Sequence, residues 1–479
     1  MKRDQWGGNI GFVLAAAGSA IGLGNLWKFP YVAWENKGGS FVFVYLLCIF
    51  LIGMPIMISE ILIGRRAQAS SVPAFTRLGF KRWRFVGWLG VLAGLIILSF
   101  YSVIAGWSIS SFIQCMSWSI NGYETPGDTA FNQFLSNGPF QVGLSLIFST
   151  LTALIVVGGI AKGIEKATKI LMPGLFIVML ILVIRSVFLP GFGDAMTFLF
   201  KPDFRQFSPQ FVLVALGQAF FTLSLGMGCM ITYGSYMPRK NSIVNAAISI
   251  VVLDTLIALL ACVIMYSIVF SSPALLSQLE AGGGKSSIGM LFVTIPNLFY
   301  TELAGGAVLA PLFYVLVGFA ALSSTISLLE VLVALLVDRL NYTRLKSTIL
   351  AAGSTYVLTL FSALSLGAVD FLSNWKVFGQ AKDGIGFALN KTLLANKAGV
   401  LALLDHVAAN WFLPMGGLFI TVFVGWILPK SVSIEEFGLV KQNGQPKFVY
   451  NVWLFLVRFL APLAILWIIY SVFAGHDFS

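Results

Sequence analysis

The chain has 479 residues, 58% of them hydrophobic and only 10% charged. So few charges cannot clothe a soluble globule of this length, which excludes a water-soluble enzyme or binding module and points to a bilayer as solvent. The formal charge of +11 sits in loops between apolar runs and carries no nucleic-acid footprint.

A short charged tail, Lys2-Arg3-Asp4, opens the chain with no small-residue cleavage site after it. Residues 10–35 therefore read as a retained span and not a signal peptide. Further apolar runs of spanning length follow at 39–64, 85–118, 141–160, 168–190, 209–236, 243–271, 308–337, 347–368, 400–428 and 450–474, about eleven spans in all.

The first span is interrupted by Gly18-Ser19-Ala20-Ile21-Gly22-Leu23-Gly24-Asn25. Glycine weakens a helix by about 1 kcal/mol relative to alanine, so this cluster argues against a smooth helix. Unpaired backbone groups inside hydrocarbon are tolerated only where protein, water or ions satisfy them. Exposed carbonyls suit a cation, and the N-terminus of the resuming half-helix suits a carboxylate. Taken alone, Gly18 and Gly22 would equally make a helix-packing face. The sixth span carries a second break, Gly217-Gln218-Ala219-Phe220-Phe221-Thr222-Leu223-Ser224-Leu225-Gly226-Met227-Gly228. Paired interruptions in two halves of a chain point to an inverted-repeat transporter with a midplane site.

Arg65, Arg66, Arg77, Lys81, Arg82 and Arg84 cluster between the second and third spans without an acid, whereas the loop from about 119 to 140 holds Glu124 and Asp128 without a base. The positive-inside rule then puts the N-terminus in the cytoplasm and, after eleven spans, the C-terminus outside. One outer loop, with Lys376, Lys382, Lys391 and Lys397, runs against that orientation. Cys48, Cys115, Cys229 and Cys262 all fall in spans, as small apolar packers. His406 and His476 have no metal-ligand companions, and no G-x-x-x-x-G-K-[ST] loop for ATP is present. Nothing resembles the acid–base or nucleophile cluster of a membrane enzyme, so no enzymatic activity is expected. An amino-acid-sensing receptor on the same scaffold is the alternative that shares these motifs.

The run from Trp6 through Gly18–Asn25 to Leu26-Trp27-Lys28-Phe29-Pro30-Tyr31 resembles the first span of the neurotransmitter:sodium symporter family. Phe220–Gly226 is similar to that family's sixth span, and Leu322-Ser323-Ser324-Thr325-Ile326-Ser327-Leu328-Leu329-Glu330 to its eighth. The resemblance implies an all-α membrane protein of the LeuT-type fold. Spans one to five (10–190) and six to ten (209–428) would form an inverted repeat, with residues 1–9 a cytoplasmic tail and 450–474 an eleventh span. The family's usual twelfth span is missing, as in some bacterial members, which implies a multi-pass amino-acid transporter of the inner membrane, monomeric or weakly dimeric. Its partners would be an amino acid, the lipid bilayer and two sodium ions, with no organic cofactor.

The same resemblance implies a sodium site at the Ala20 carbonyl, Asn25, Thr222 and Asp254, completed by the substrate's carboxylate. A second would use the carbonyls of Gly18, Ile21 and Ala320 with the hydroxyls of Ser323 and Ser324, although such hydroxyls more often bond back to their own helix. Gly22 would leave room for the substrate carboxylate where monoamine-carrying relatives place an aspartate, and Tyr101 would donate to that carboxylate. Ser19, Ala20, Phe221, Thr222, Ser224 and Ser324 would surround the polar end of the substrate. Ile97, Met227 and Leu328 would line its side-chain pocket. Met227 is unbranched and adaptable, which favours a large apolar or aromatic side chain.

Inner gating would pair Arg3 with Asp338 and Trp6 with Ser235-Tyr236. Outer gating would pair Lys28 with Asp405, a lysine lacking arginine's bidentate fork. Gly163 and Pro173 match a family pattern at which the inner half of span five unwinds. Glu60 would hydrogen-bond the unwound backbone of span six; Glu330 has no assigned role, packing or helix stabilisation suiting it better than ion binding. Asp254 stands beside Tyr45, Gln218 and Thr222, where chloride-dependent relatives carry a neutral residue. That substitution implies chloride-independent transport, with a proton carried on the empty return.

Overall fold

The computed structural model describes residues 4–126, 129–206, 208–280, 290–301, 303, 305–379, 384–438 and 447–477. Lys2, Arg3, Asp128 and Lys382 lie outside these. Among the described residues every regular element is a helix. Continuous apolar helices cover Gly39–Ala67, Lys81–Asn121, Gly138–Val157, Ile160–Val187, Ile243–Ser271, Gly306–Leu340, Arg344–Leu364, Val400–Ile427 and Lys447–Phe473. These are spans 2 to 5 and 7 to 11.

The other two crossings are broken where the glycines stand. Span 1 runs as Asn9–Ala20 and Gly24–Glu35, bent by 52°. Span 6 runs as Pro209–Thr222 and Cys229–Gly234. Neither half of span 6 is long enough to cross hydrocarbon alone at 1.5 Å per residue. The fold is therefore the LeuT-type bundle with broken first and sixth helices.

Position in the bundle follows burial. Span 8 is 83% buried over its most apolar window, whereas spans 4 and 5 are each 33% buried. The latter present Leu154, Ile177 and Ile184 outward, the face a bilayer would cover. Span 8 packs on span 3, and the first half of span 1 packs on spans 7 and 8. Close approach depends on small residues: a Cβ on Gly64 of span 2 would lie 1.9 Å from the Ile231 carbonyl of span 6. Both breaks thus meet at the centre, flanked by spans 3 and 8.

Span 5 differs from expectation. It is helical from Ile160 to Val187, with a wide opening turn at Ile160–Glu165 and Pro173 inside the helix. The unwinding expected between Gly163 and Pro173 is not present in this conformation. Gly163 serves close packing instead, since a Cβ there would lie 2.2 Å from the Ile155 carbonyl at the end of span 4.

Candidate functional site

The break in span 6 is shaped by three left-handed residues, Ser224 (φ 53°), Gly226 (φ 77°) and Gly228 (φ 74°). Glycine adopts that conformation freely, but serine does so at a cost. Its neighbours hold Ser224 there: its hydroxyl donates to the Ser19 carbonyl at 2.8 Å and lies 3.3 Å from the Ser19 hydroxyl. The Gly226 amide donates to Glu60 Oε1 at 2.7 Å, so Glu60 supports the unwound backbone as its position in the sequence suggests. In span 1 the break leaves the Leu23 amide donating to the Tyr101 hydroxyl at 2.8 Å and the Gly22 amide to Asn25 Oδ1 at 3.1 Å.

Between the two breaks lies a cavity of about 340 Å³. Ser19, Ala20, Gly22, Ile97, Tyr101, Phe221, Thr222, Ser224, Met227, Ser324 and Leu328 line it, joined by Gly24 and Ser327. All the proposed substrate contacts therefore come together, hydroxyls and unwound backbone with the apolar side chains of Ile97, Met227 and Leu328. A Cβ on Gly22 would lie 2.6 Å from Ser324 Oγ and 2.7 Å from the Tyr101 hydroxyl. Any larger residue at position 22 would thus fill the space between those groups. Another cavity, of about 470 Å³, lies behind Leu26 among Met179, Met265, Phe299 and Phe313. Its lining side chains are all apolar and offer no group to bind the charged ends of an amino acid.

Two oxygen clusters border the first cavity. In one, Asp254 Oδ1 accepts from Asn25 Nδ2 at 2.8 Å and Thr222 Oγ1 at 3.0 Å. Asp254 Oδ2 is buried without a hydrogen-bond partner, as are the Tyr45 hydroxyl and Gln218 Oε1. Gln218 Nε2 donates to the Gly24 carbonyl at 3.3 Å. A buried carboxylate oxygen left in this way needs a cation or a proton. In the other, Ser323 Oγ lies 3.0 Å from the Ala320 carbonyl and 3.5 Å from that of Ile21, and Ser324 Oγ lies 3.4 Å from the Ser19 carbonyl. Gly18 packs against Ser323, where a Cβ would meet the serine Cβ at 3.1 Å. Neutral oxygens from a broken helix and two hydroxyls form a donor set suited to a small hard cation.

The two ends of the bundle close differently. At the Trp6 end, the indole donates to the Tyr233 carbonyl at 3.0 Å and the Trp6 amide to the Tyr236 carbonyl at 3.2 Å. The indole's direct partner is thus Tyr233; Tyr236 stacks edge-on at 6.3 Å, and Ser235 lies between them in sequence. Asp338 Oδ2 accepts from the Ser70 amide at 2.7 Å, while Arg3, its expected partner, is outside the described residues. Gly7 donates to Glu165 Oε2 at 2.7 Å, tying the tail to the first turn of span 5. At the Lys28 end, the ammonium lies 5.1 Å from the centroid of Phe221, a cation–π contact over the cavity. Asp405, Asp477 and Lys397 all act on its charge.

A model of the sodium:neurotransmitter symporter family matches residues 3–136 and 129–380. YhdH of Bacillus subtilis (strain 168), an uncharacterized sodium-dependent transporter, is 35% identical over 97% of this chain and 96% of its own. A second such transporter, from Haemophilus influenzae, is 31% identical over 98% of both chains. The crystal structure of MhsT in complex with L-phenylalanine superposes with a TM-score of 0.81 at 37% identity, covering 98% of this chain and 100% of MhsT.

The chain belongs to the sodium:neurotransmitter symporter family. As a family member it is a multi-pass membrane protein, and its matched relatives are transporters.

Some features of this symporter-family chain escape a reading of the sequence. Ser327 Oγ accepts from Ser19 at 2.7 Å and donates to the Ser324 carbonyl at 2.8 Å, so it fixes the hydroxyl that faces the cavity. Its signal was its position one turn beyond Ser323 and Ser324 on the same helix. Glu330, to which the sequence assigns no role, has a partner no local spacing reveals. Its carboxylate forms a buried ion pair with Arg344 and accepts from the Tyr236 hydroxyl at 2.7 Å. Arg344 also donates to the Val156 carbonyl at 2.8 and 2.9 Å, joining spans 4, 8 and 9 at the Trp6 end.

Proposed function

We propose that the chain is a secondary active transporter that couples sodium entry to uptake of a neutral, hydrophobic L-amino acid by alternating access. The observation that carries this reading is the cavity between the two broken helices, lined by unwound backbone and hydroxyls together with the apolar Ile97, Met227 and Leu328. The L-phenylalanine bound to MhsT, 37% identical over nearly the whole chain, supports an amino acid with an apolar or aromatic side chain. One sodium ion would occupy the cluster at Ala20, Asn25, Thr222 and Asp254, sharing the substrate's carboxylate. A second would occupy that of Gly18, Ile21, Ala320, Ser323 and Ser324. The Trp6 end is then cytoplasmic and the Lys28 end external, in a cell inner membrane. Two sodium ions carry two elementary charges inward, about 4.6 kcal/mol at 100 mV. A proton returned on the empty carrier removes one of them, leaving about 2.3 kcal/mol, roughly one to two decades of accumulation.

Asp254 carries the finer reading. Its unpartnered oxygen beside Tyr45 and Gln218 puts a fixed negative charge where chloride would otherwise sit, so uptake needs no chloride. Once sodium leaves, the buried carboxylate takes up a proton for the return step. The test is uptake of labelled phenylalanine into proteoliposomes with sodium, then with potassium in its place. Equal uptake would overturn sodium coupling. Gluconate in place of chloride should leave uptake unchanged, whereas Asp254→Asn should weaken uptake or make it respond to chloride. A chloride requirement in the unaltered protein would overturn the role given to Asp254. Thr222→Val should lower affinity for both sodium and amino acid, whereas Ser324→Ala should lower chiefly that for sodium. Normal sodium dependence in both would displace the two sites.

A further inference from the structure

Beyond Phe473 the chain turns back on itself. Gly475 takes φ 93°, its amide donates to the Val472 carbonyl at 2.9 Å and the His476 amide donates to that of Ser471 at 3.0 Å. This pair of bonds around a left-handed glycine is a Schellman turn, which stops a helix and reverses the chain. The reversal sets Asp477 against the outer end of span 10. There Oδ1 accepts from Asn410 Nδ2 at 2.8 Å and lies 3.0 Å from His406 Nδ1, while Oδ2 pairs with Lys397 Nζ at 2.8 Å. His406 and Asn410 stand one turn apart on a single face of span 10, and His406 Nε2 meets the Leu393 carbonyl at 3.1 Å. Trp411 repeats the connection, donating to the same carbonyl at 2.8 Å and packing edge-on against Phe473 at 4.9 Å.

Asp405 is the immediate neighbour of His406, and Lys28, Lys397 and Asp477 lie near enough to act on its carboxylate. Two lysines therefore act on one carboxylate, and Asp477 holds one of them.

We infer that Asp477 is a positioning residue of the outer gate, tethering Lys397 and the outer turn of span 10 so that Asp405 serves Lys28. The inference rests on the transport reading above and names a regulator of its outer closure. Without the Asp477 carboxylate, Lys397 loses its partner and competes with Lys28 for Asp405. Lys397 then offers Asp405 a second charge-assisted partner, which draws the carboxylate from Lys28 and favours an open gate.

The test compares the unaltered protein with Asp477→Ala, Lys397→Ala and the double variant in proteoliposomes with labelled phenylalanine and sodium. Asp477→Ala should raise KM about fivefold, and Lys397→Ala alone should stay near the unaltered value. Adding Lys397→Ala to Asp477→Ala should return KM towards normal, because the competitor is gone. Asp477→Glu should behave like the unaltered protein. A double variant as impaired as Asp477→Ala, or a normal KM in Asp477→Ala, would overturn the inference. Hydrogen exchange of the same proteins, in sodium without amino acid, reads the gate independently of transport. Asp477→Ala should speed exchange over residues 24–35 and 400–412, and the double variant should slow it again. Faster exchange confined to residues 471–477 would overturn the tether. Absence of sodium-driven uptake in the unaltered protein would sink the transport reading while leaving the exchange result to decide the role of Asp477.

Discussion

The two ends of this bundle are closed by different physics. At the Trp6 end the contacts are buried, largely backbone-directed and redundant. Trp6 is held by two carbonyls, Asp338 by a helix amide, and the Glu330–Arg344 pair by Tyr236 and Val156. At the Lys28 end a largely buried ammonium rests on the face of Phe221, within a small group of charges. Each buried bond broken at the Trp6 end leaves a dry partner at about 1–3 kcal/mol, and several act together there, whereas the Lys28 end rests on one cation–π contact of about 0.5–2 kcal/mol. The closure seen here is therefore asymmetric: firm at the Trp6 end and light at the Lys28 end.

Arg344→Ala should break that asymmetry most strongly. It leaves Glu330 buried without its cation, which costs about 3–5 kcal/mol, and should lower the thermal unfolding midpoint in detergent well below that of the unaltered protein. Arg344→Lys should recover part of the loss. A midpoint unchanged by Arg344→Ala would show that the Trp6 end does not depend on this pair. Trp6→Ala comes next, deleting a buried aromatic worth about 3–5 kcal/mol on the usual core scale, part of which water entering the opened end restores. Accessibility of Tyr233 and Tyr236 to hydrogen exchange should rise, with little change at residues 24–35.

Lys28→Ala should act on the opposite end and by less, raising the rate at which bound amino acid escapes outward by roughly two- to fivefold. Equal slowing or no change would place the latch elsewhere. The smallest effect belongs to Met227→Phe, which leaves both ends alone and narrows the cavity between them. Discrimination by one methylene-sized change is worth about 1–3 kcal/mol, so competition assays should show leucine or valine gaining on tryptophan without replacing it. An unchanged ranking would remove Met227 from the pocket.

The spans and both breaks were legible in the sequence because a glycine–hydroxyl cluster inside an apolar run has few physical explanations. The residues around the cavity were legible because those same clusters carry family motifs, and they line it together. Arg344 with Glu330, and Asp477 with Lys397 and span 10, were not, since their partners lie on different elements and no periodicity links them. Trp6 shows an intermediate case: the neighbourhood was readable, but the bond to Tyr233 rather than Ser235 depends on where a carbonyl points. The wide turns at Ile49–Gly53, Ala408–Phe412 and Leu456–Leu460 left no trace either. Shifting a backbone bond by one residue changes neither composition nor hydropathy.

The bond between Gly7 and Glu165 has a mechanical consequence. Gly7 belongs to the tail that Trp6 anchors, and Glu165 belongs to the opening turn of span 5, where it also pairs with Lys169 at 2.7 Å. Gly11 sits so close that a Cβ there would lie 2.3 Å from the carboxylate. The first half of span 1 therefore cannot swing away without either pulling that turn along or leaving Glu165 with Lys169 as its remaining partner. Tail and turn are thus pinned to each other, so any displacement of one in this conformation is felt by the other.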